Sequence, residues 1–308
     1  MNYKRLISSR KLRIKILSLL SWIPDRMMIS LQYRLHTGRK VDLKNPERYT
    51  EKLQLYKLEY HDSRMLRCTD KVEVRKVLEE KGLGEILIPL VGVYDNYQDI
   101  DFDKLPLSFV AKTNDGCGGN QVILCQNKSS LDAEIFRGTL KEWMEAPKRK
   151  HPGREWAYEN GYPRRIIIEQ LLTDGGDGGL MDYKFFCFNG KVKVVYLVHD
   201  RKLGRGARLG VYSSDFEKLN VLRNDELPSD RKFEKPKNYQ RMIEIAELLS
   251  ADFPHVRVDL YNLNGKIYFG ELTFYDGSGY MSFTPDSFDM EMGRMFDYPF
   301  QAPSRASE

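Results

Sequence analysis

Arg257 and Asp259 stand two residues apart in the run His255-Val256-Arg257-Val258-Asp259-Leu260-Tyr261. Glu271 and Thr273 stand two apart in Ile267-Tyr268-Phe269-Gly270-Glu271-Leu272-Thr273. Both runs alternate as strands do, so a period of two puts Arg257 and Asp259 on one face of the first, and Glu271 and Thr273 on one face of the second. Carboxylates planted on rigid elements are paired with cations or hold a metal. As hard-oxygen donors, Asp259 and Glu271 suit Mg²⁺ shared with substrate phosphates, and Arg257 suits charge developing on a transferring phosphoryl group. A salt bridge between Arg257 and either acid is the competing reading. Register imposes a condition. A two-residue turn at Asn264-Gly265 pairs Leu263 with Lys266 and leaves Asp259 and Glu271 on opposite faces of the ribbon. A shared metal then requires an odd loop or a bulge at Gly270.

A second group lies upstream. Lys112 sits near the end of the strand-like run Leu107-Ser108-Phe109-Val110-Ala111-Lys112-Thr113, ahead of Asp115-Gly116-Cys117-Gly118-Gly119-Asn120. Successive glycine amides at Gly116, Gly118 and Gly119 form an anion nest, and a lysine adds a point charge suited to phosphate. An ordinary hairpin turn with a solvent-facing lysine fits the same residues. The loop lacks a Gly-Lys-Ser/Thr ending and leads into strand rather than helix, which excludes the P-loop and the dinucleotide fingerprint. The run Ile166-Ile167-Ile168-Glu169-Gln170-Leu171-Leu172 is an edge segment whose backbone and carboxylate can take the exocyclic amine of adenine. A Glu169 facing water is the alternative. Asp182 and Lys184 alternate on one face of Asp182-Tyr183-Lys184-Phe185-Phe186, with the same two readings.

The elements that must position these residues mix strands and helices without a βαβ rhythm. Strand patterns cover 86–94, 107–113, 121–124, 166–172, 182–188 and 191–199, besides the two opening runs. Asn189-Gly190 marks a hairpin, and 174–179 is a glycine-rich turn. Helical patterns start at Tyr49 and Asp70, the latter ended by Gly82 and Gly84, and cover 131–145 and 236–250; 147–165 reads as a surface loop. The fold class is therefore α+β with largely antiparallel sheets. The expected division is a helical, basic segment 1–68, two α+β units over 69–175 and 176–301, and a disordered tail 302–308.

At 308 residues, 41% hydrophobic and 30% charged, the chain is a soluble globular protein of one large or two moderate domains. A formal charge of +5 is too mild to argue for nucleic acid. Lys4, Arg5, Arg10, Lys11, Arg13 and Lys15 interleave with apolar residues up to Ile23 in a basic amphipathic helix. Over 1–24 this is either a peripheral membrane contact or a terminal helix packed on the core. No segment has the length of a membrane span or the cleavage site of a signal peptide. Cys68, Cys117, Cys125 and Cys187 lack metal-ligand spacing and read as reduced thiols of a cytoplasmic protein. None of the five histidines has an evident partner.

Taken in order, these pieces resemble the ATP-grasp superfamily, with a distant likeness to the D-alanine–D-alanine ligases. The resemblance implies two α+β subdomains gripping ATP. It makes Lys71 and Lys112 phosphate contacts, Glu169, Gln170 and Leu172 the adenine hinge, and Asp182 and Lys184 further cofactor contacts. It makes Arg257 the catalytic arginine and Asp259, Glu271 and Thr273 the Mg²⁺ ligands. Thr273 stands where that family usually has Asn, and the basic helical segment takes the place of the family's N-terminal α/β domain. More narrowly, Leu43-Lys44-Asn45-Pro46, Glu51-Lys52-Leu53-Gln54, Asp70-Lys71-Val72-Glu73-Val74-Arg75, Arg154-Glu155-Trp156-Ala157-Tyr158 and the run from Asp182 to Lys191 resemble the TupA-like ATP-grasp proteins of bacterial surface-polysaccharide clusters. That likeness implies a ligase joining an amino acid or peptide unit to a polysaccharide or uronic-acid substrate, at the inner face of the plasma membrane or in the cytoplasm. A sugar phosphotransferase, a glycosyltransferase and a non-catalytic membrane-associated assembly factor are the alternatives; no convincing Asp-x-Asp motif supports the second.

Overall fold

The computed structural model describes residues 20–116, 121–146, 153–173, 179–200 and 206–297. Gly118, Gly119, Cys117, the glycines at 175–178, most of the basic segment 1–24 and the tail lie outside the described residues. Eight α-helices are described: α1 (Asp25–Thr37), α2 (Tyr49–Glu59), α3 (Arg64–Thr69), α4 (Glu73–Glu80), α5 (Ala133–Glu145), α6 (Trp156–Glu159), α7 (Tyr239–Ser250) and α8 (Ser287–Met295). The described strands are β1 (Leu90–Tyr94), β2 (Phe109–Thr113), β3 (Val122–Cys125), β4 (Ile166–Gln170), β5 (Asp182–Phe188), β6 (Lys191–His199), β7 (Arg208–Ser213), β8 (Leu222–Arg223), β9 (Leu227–Pro228), β10 (His255–Leu263), β11 (Lys266–Thr273) and β12 (Phe283–Thr284).

The first sheet is antiparallel, in the order β1-β4-β2-β3. Its alternation is simple: Phe109, Ala111, Ile166 and Ile168 pack with Phe136 and Leu140 of α5 into a small core. Lys112, Ile167 and Glu169 therefore project from the opposite face. Asp132 caps α5 by accepting from the amides of Glu134 at 2.8 Å and Ile135 at 2.9 Å. The strand expected over 86–94 begins only at Leu90, after a 3₁₀ turn at Gly84–Ile86. Pro89 has no N–H for a ladder, and its carbonyl instead accepts from the Gln170 amide at 2.9 Å.

The second sheet has six strands in the order β11-β10-β5-β6-β7-β9, antiparallel except between β7 and β9. Both Asn-Gly hairpins are present. Asn189 and Gly190 have φ of 48° and 72°, and Asn264 and Gly265 have 51° and 85°, as a two-residue type I′ turn requires. Helix α7 covers one face, where Phe185 meets Tyr239 and the Cys187 thiol reaches the Ala246 carbonyl. On the other face α2 lays Tyr49 against Phe186, Phe188 and His255. That second face also carries Lys184 and Arg257, the latter paired in register with Phe186.

Candidate active site

The positions of the two acids follow from one irregularity. Leu263 pairs with Lys266 across the Asn264-Gly265 turn, yet Asp259 pairs with Glu271, because the ladder shifts by one residue beyond the Leu260–Phe269 pair. Gly270 is the inserted residue. A Cβ there would lie 3.0 Å from the Asp259 carbonyl oxygen, so the bulge needs the smallest residue. The acids thus come side by side on neighbouring strands instead of pointing to opposite faces.

Arg257 ties them together. Its Nε and Nη2 donate to the two carboxylate oxygens of Asp259, each at 2.7 Å. Nη2 also donates to Glu271 Oε1 at 3.2 Å and to Thr273 Oγ1 at 3.0 Å. Nη1 binds Asp276, which on its other side accepts from Arg223 Nη1 at 2.7 Å. Lys184 adds a second cation, bonded to Asp259 and, at 2.6 Å, to Asp182. Among these, Glu271 keeps 46% of its side chain exposed whereas Asp259 keeps 3%. Burial accordingly pushes Asp259 up to about 6, against the pull of Arg257 and Lys184. Packing also opposes ionisation of Glu271, but Arg257, Lys184 and Lys71 outweigh it and hold its carboxyl below the usual range. Asp276 is held low in the same way, its burial outweighed first by Arg223 and then by Arg257.

The influence of Lys71 on Glu271 joins this cluster to the first sheet. Asp70 fixes the turn that carries Lys71, accepting from the amides of Val72 at 2.8 Å and Glu73 at 3.0 Å to start α4. The Lys71 amide donates to the Asn114 carbonyl at 3.1 Å, and its ammonium to the Gly116 carbonyl. Lys71 and the glycine loop therefore adjoin. On the face of the first sheet away from α5, Lys112 pairs with Glu169 at 2.5 Å, and Arg75 reaches the other oxygen of Glu169 at 3.1 Å. Gln170 is exposed at the strand end, and Leu172 is half-buried just beyond it.

The structure thus brings Asp182, Lys184, Arg257, Asp259, Glu271 and Thr273 into one cluster, Lys112 with Glu169 into another, and Lys71 against Gly116, its charge felt at Glu271. Glu169 is bonded to two cations rather than facing water, and its strand β4 lies between β1 and β2 rather than at an edge. The sequence reading missed three participants. Arg75 lies in the first turn of α4, just after the turn that carries Lys71. Asp276 follows β11 in the Asp-Gly-Ser-Gly turn. Arg223 gave no signal, being 53 residues from its partner. Histidines have partners too: His255 Nδ1 lies 2.9 Å from the Cys187 carbonyl and Nε2 3.0 Å from the Tyr49 hydroxyl, His199 Nε2 lies 2.7 Å from Ser229 Oγ, and His61 and His36 stack on Trp156 and Tyr280. A carbonyl only accepts, so His255 carries its proton on Nδ1, and burial pushes it down to about 4.

Among the described residues, no group of three or more His, Cys, Asp and Glu forms a metal cage. The donors present are two carboxylates in register and a hydroxyl. That set suits a hard cation that takes one or two carboxylates and draws its remaining oxygens from phosphate and water. It fits Mg²⁺ held jointly with a substrate at the exposed Glu271, while Asp259, both of whose oxygens are bonded to Arg257, joins only when that cation yields an oxygen.

The model of the family described as TupA-like ATPgrasp matches residues 51–297. The chain belongs to that family, and its α+β architecture is that of an ATP-grasp protein. None of the curated proteins compared matches the chain. Solved structures with which it shares a likeness include D-alanine–D-alanine ligase from Bacillus anthracis, at 18% identity over 68% of this chain and 59% of that one, with a TM-score of 0.40. They include D-alanine–D-alanine ligase from Helicobacter pylori, at 13% over 73% and 61%, with a TM-score of 0.36. N5-carboxyaminoimidazole synthetase from Staphylococcus aureus, solved with ADP, matches at 14% over 80% and 56%, with a TM-score of 0.38. The chain spans less than two thirds of the length of each. Among the described residues, no helix is long and apolar enough to cross a membrane.

Proposed function

We propose that this protein is an ATP- and Mg²⁺-dependent carboxylate–amine ligase that joins an amino acid or peptide unit to a bacterial surface polysaccharide or its precursor. Family membership supports the nucleotide and the reaction class. The observation that carries the site is the in-register pair Asp259 and Glu271, bonded to Arg257, with Lys184 on Asp259 and the charge of Lys71 reaching Glu271.

In this reading a substrate carboxylate oxygen attacks the γ-phosphorus of ATP, the bond to the β-γ bridging oxygen breaks, and ADP leaves as an acyl phosphate forms. An amine then adds to the acyl carbon, phosphate departs with the electron pair of its bond, and an amide results after loss of a proton. Lys71 and Lys112 hold phosphate oxygens, with the amides near Gly116 as further donors. Glu169, Gln170 and Leu172 line the adenine end, and Asp182 and Lys184 the ribose side. Arg257 meets the charge that spreads over the transferring group. Mg²⁺, held by Asp259 and Glu271 with Thr273 beside them, supplies charge neutralisation and alignment of the phosphates when bound.

Amine-dependent ADP release in the presence of uronic acids and amino acids tests the reading. The expected result is release that requires Mg²⁺, a carboxylate and an amine, and that falls by at least about 10²-fold in Glu271→Gln, the loss typical of one group stabilising a transition state. Release with a sugar hydroxyl and no amine would replace ligation by phosphotransfer. Undiminished release in Glu271→Gln would remove the site assignment.

A further inference from the structure

Helix α1 is apolar on two arcs. Met28, Ile29, Gln32 and Tyr33 are buried against the protein. Met27, Leu31 and Leu35, spaced four residues apart, are 64%, 47% and 45% exposed, and Trp22 just ahead of the helix is 78% exposed. At 100° per residue these three helical side chains fall within an arc of about 80°, so they form one stripe and not a scatter of single residues. A surface helix covers one apolar arc with its own core; a second contiguous arc marks a partner.

The distribution of charge identifies that partner. Residues 1–48 hold twelve Lys and Arg against three Asp and Glu, a net +9, whereas the whole chain is +5 and residues 49–308 are therefore −4. The cationic excess is confined to the segment that contains the stripe. Acids close to it are neutralised within the protein: Asp25 by Arg154 at 3.3 Å, and Asp286 by Arg39 at 2.7 Å and Arg48 at 2.9 Å. Arg34, beside the stripe on α1, and Lys40 beyond its end form no ion pair among the described residues. Nucleic acid would satisfy these cations but leave Trp22, Met27, Leu31 and Leu35 in water. A second copy would set one +9 segment against another. An anionic bilayer meets both demands, because apolar chains enter the headgroup–acyl boundary while Lys and Arg remain among the headgroups.

We propose that the outer face of α1, with Trp22 and the flanking cations, docks this protein on an anionic membrane surface. The proposal is independent of the ligase reading. It is tested by flotation of the full 308-residue chain with vesicles of phosphatidylcholine alone and of phosphatidylcholine mixed with phosphatidylglycerol. The expected result is flotation with the phosphatidylglycerol vesicles only. Met27→Gln/Leu31→Gln/Leu35→Gln is expected to weaken it at least roughly tenfold without changing the circular dichroism spectrum. Arg34→Glu/Lys40→Glu is expected to weaken it on the same vesicles. Failure of the wild type to float with phosphatidylglycerol vesicles overturns the proposal. So does undiminished flotation of the triple variant, or a solution dimer that the triple variant converts to monomer, which would make a second copy the occupant.

Discussion

Asp276 lies between two buried guanidinium groups and is the counter-ion that Arg223 and Arg257 share. Asp276→Asn keeps the shape but leaves two buried positive charges short of a negative one. Breaking a buried pair from one side costs about 3–5 kcal/mol, so urea denaturation should show a loss of that order. Thr273→Val removes the hydroxyl that accepts from Arg257 at 3.0 Å and donates to Glu271 at 3.2 Å, and should cost about 1–2 kcal/mol. Comparable losses would mean that the strand, not the turn after it, balances Arg257. The contrast also explains what the residue pattern could reveal. Arg257, Asp259 and Glu271 were legible because a two-residue period and one tight turn fix their relation locally. The pairing of Arg223 with Asp276 spans 53 residues and that of Arg75 with Glu169 spans 94, and no local pattern encodes such contacts.

The β10–β11 hairpin sets the chemistry through one extra residue. Its Asn-Gly turn was readable, as was the conflict it created between Asp259 and Glu271. Its resolution at Gly270 was readable only as one of two options, since an odd loop at the turn would bring the acids to one face as well as a bulge does. The same local grammar gave the Asn189-Gly190 hairpin and α5, and overran the start of β1, where Pro89 removes a ladder donor. Two variants separate the bulge from the glycine. Gly270→Ala keeps the residue count but brings a methyl within 3.0 Å of the Asp259 carbonyl, and should lower stability by about 1–2 kcal/mol while keeping the register. Deleting Gly270 restores a regular ladder in which Glu271 still pairs directly with Asp259, so it removes the bulge while keeping the acids on one face. Amine-dependent ADP release should survive, reduced, in both variants, because both keep Asp259 opposite Glu271. A deletion variant with a native circular dichroism spectrum and no release would show that the bulge itself, and not only the shared face of the acids, is required.

The N-terminal helices are joined to the second sheet through a buried lysine. Lys57 of α2 donates to the Gly153 carbonyl at 3.0 Å and the Ser278 carbonyl at 2.9 Å, while Gln54 donates to the Gly279 carbonyl at 2.8 Å. They hold the turn that presents Asp276, in which Gly277 and Ser278 have φ of 50° and 55°. Lys57 meets neutral oxygens, and burial, only partly opposed by Glu155, pushes it down to about 7 from an ordinary 10.5. Between those values the unfolded chain binds a proton that the folded protein does not, so stability is greatest above pH 10.5 and is lost as pH falls towards 7. The slope approaches about 1.4 kcal/mol per pH unit in that window. Other groups act in the opposite sense there: burial pushes the thiols of Cys68 and Cys187 up to about 12, so raising the pH removes their contribution. A single titration of the wild type would mix the two, and the difference from Lys57→Met separates them. Subtracting urea-unfolding free energies of Lys57→Met from those of the wild type between pH 7 and pH 10 should leave a difference that rises with pH, in the wild type's favour. A flat difference would mean that Lys57 is protonated in the folded protein throughout, and that α2 grips the turn with a charged ammonium rather than a neutral amine.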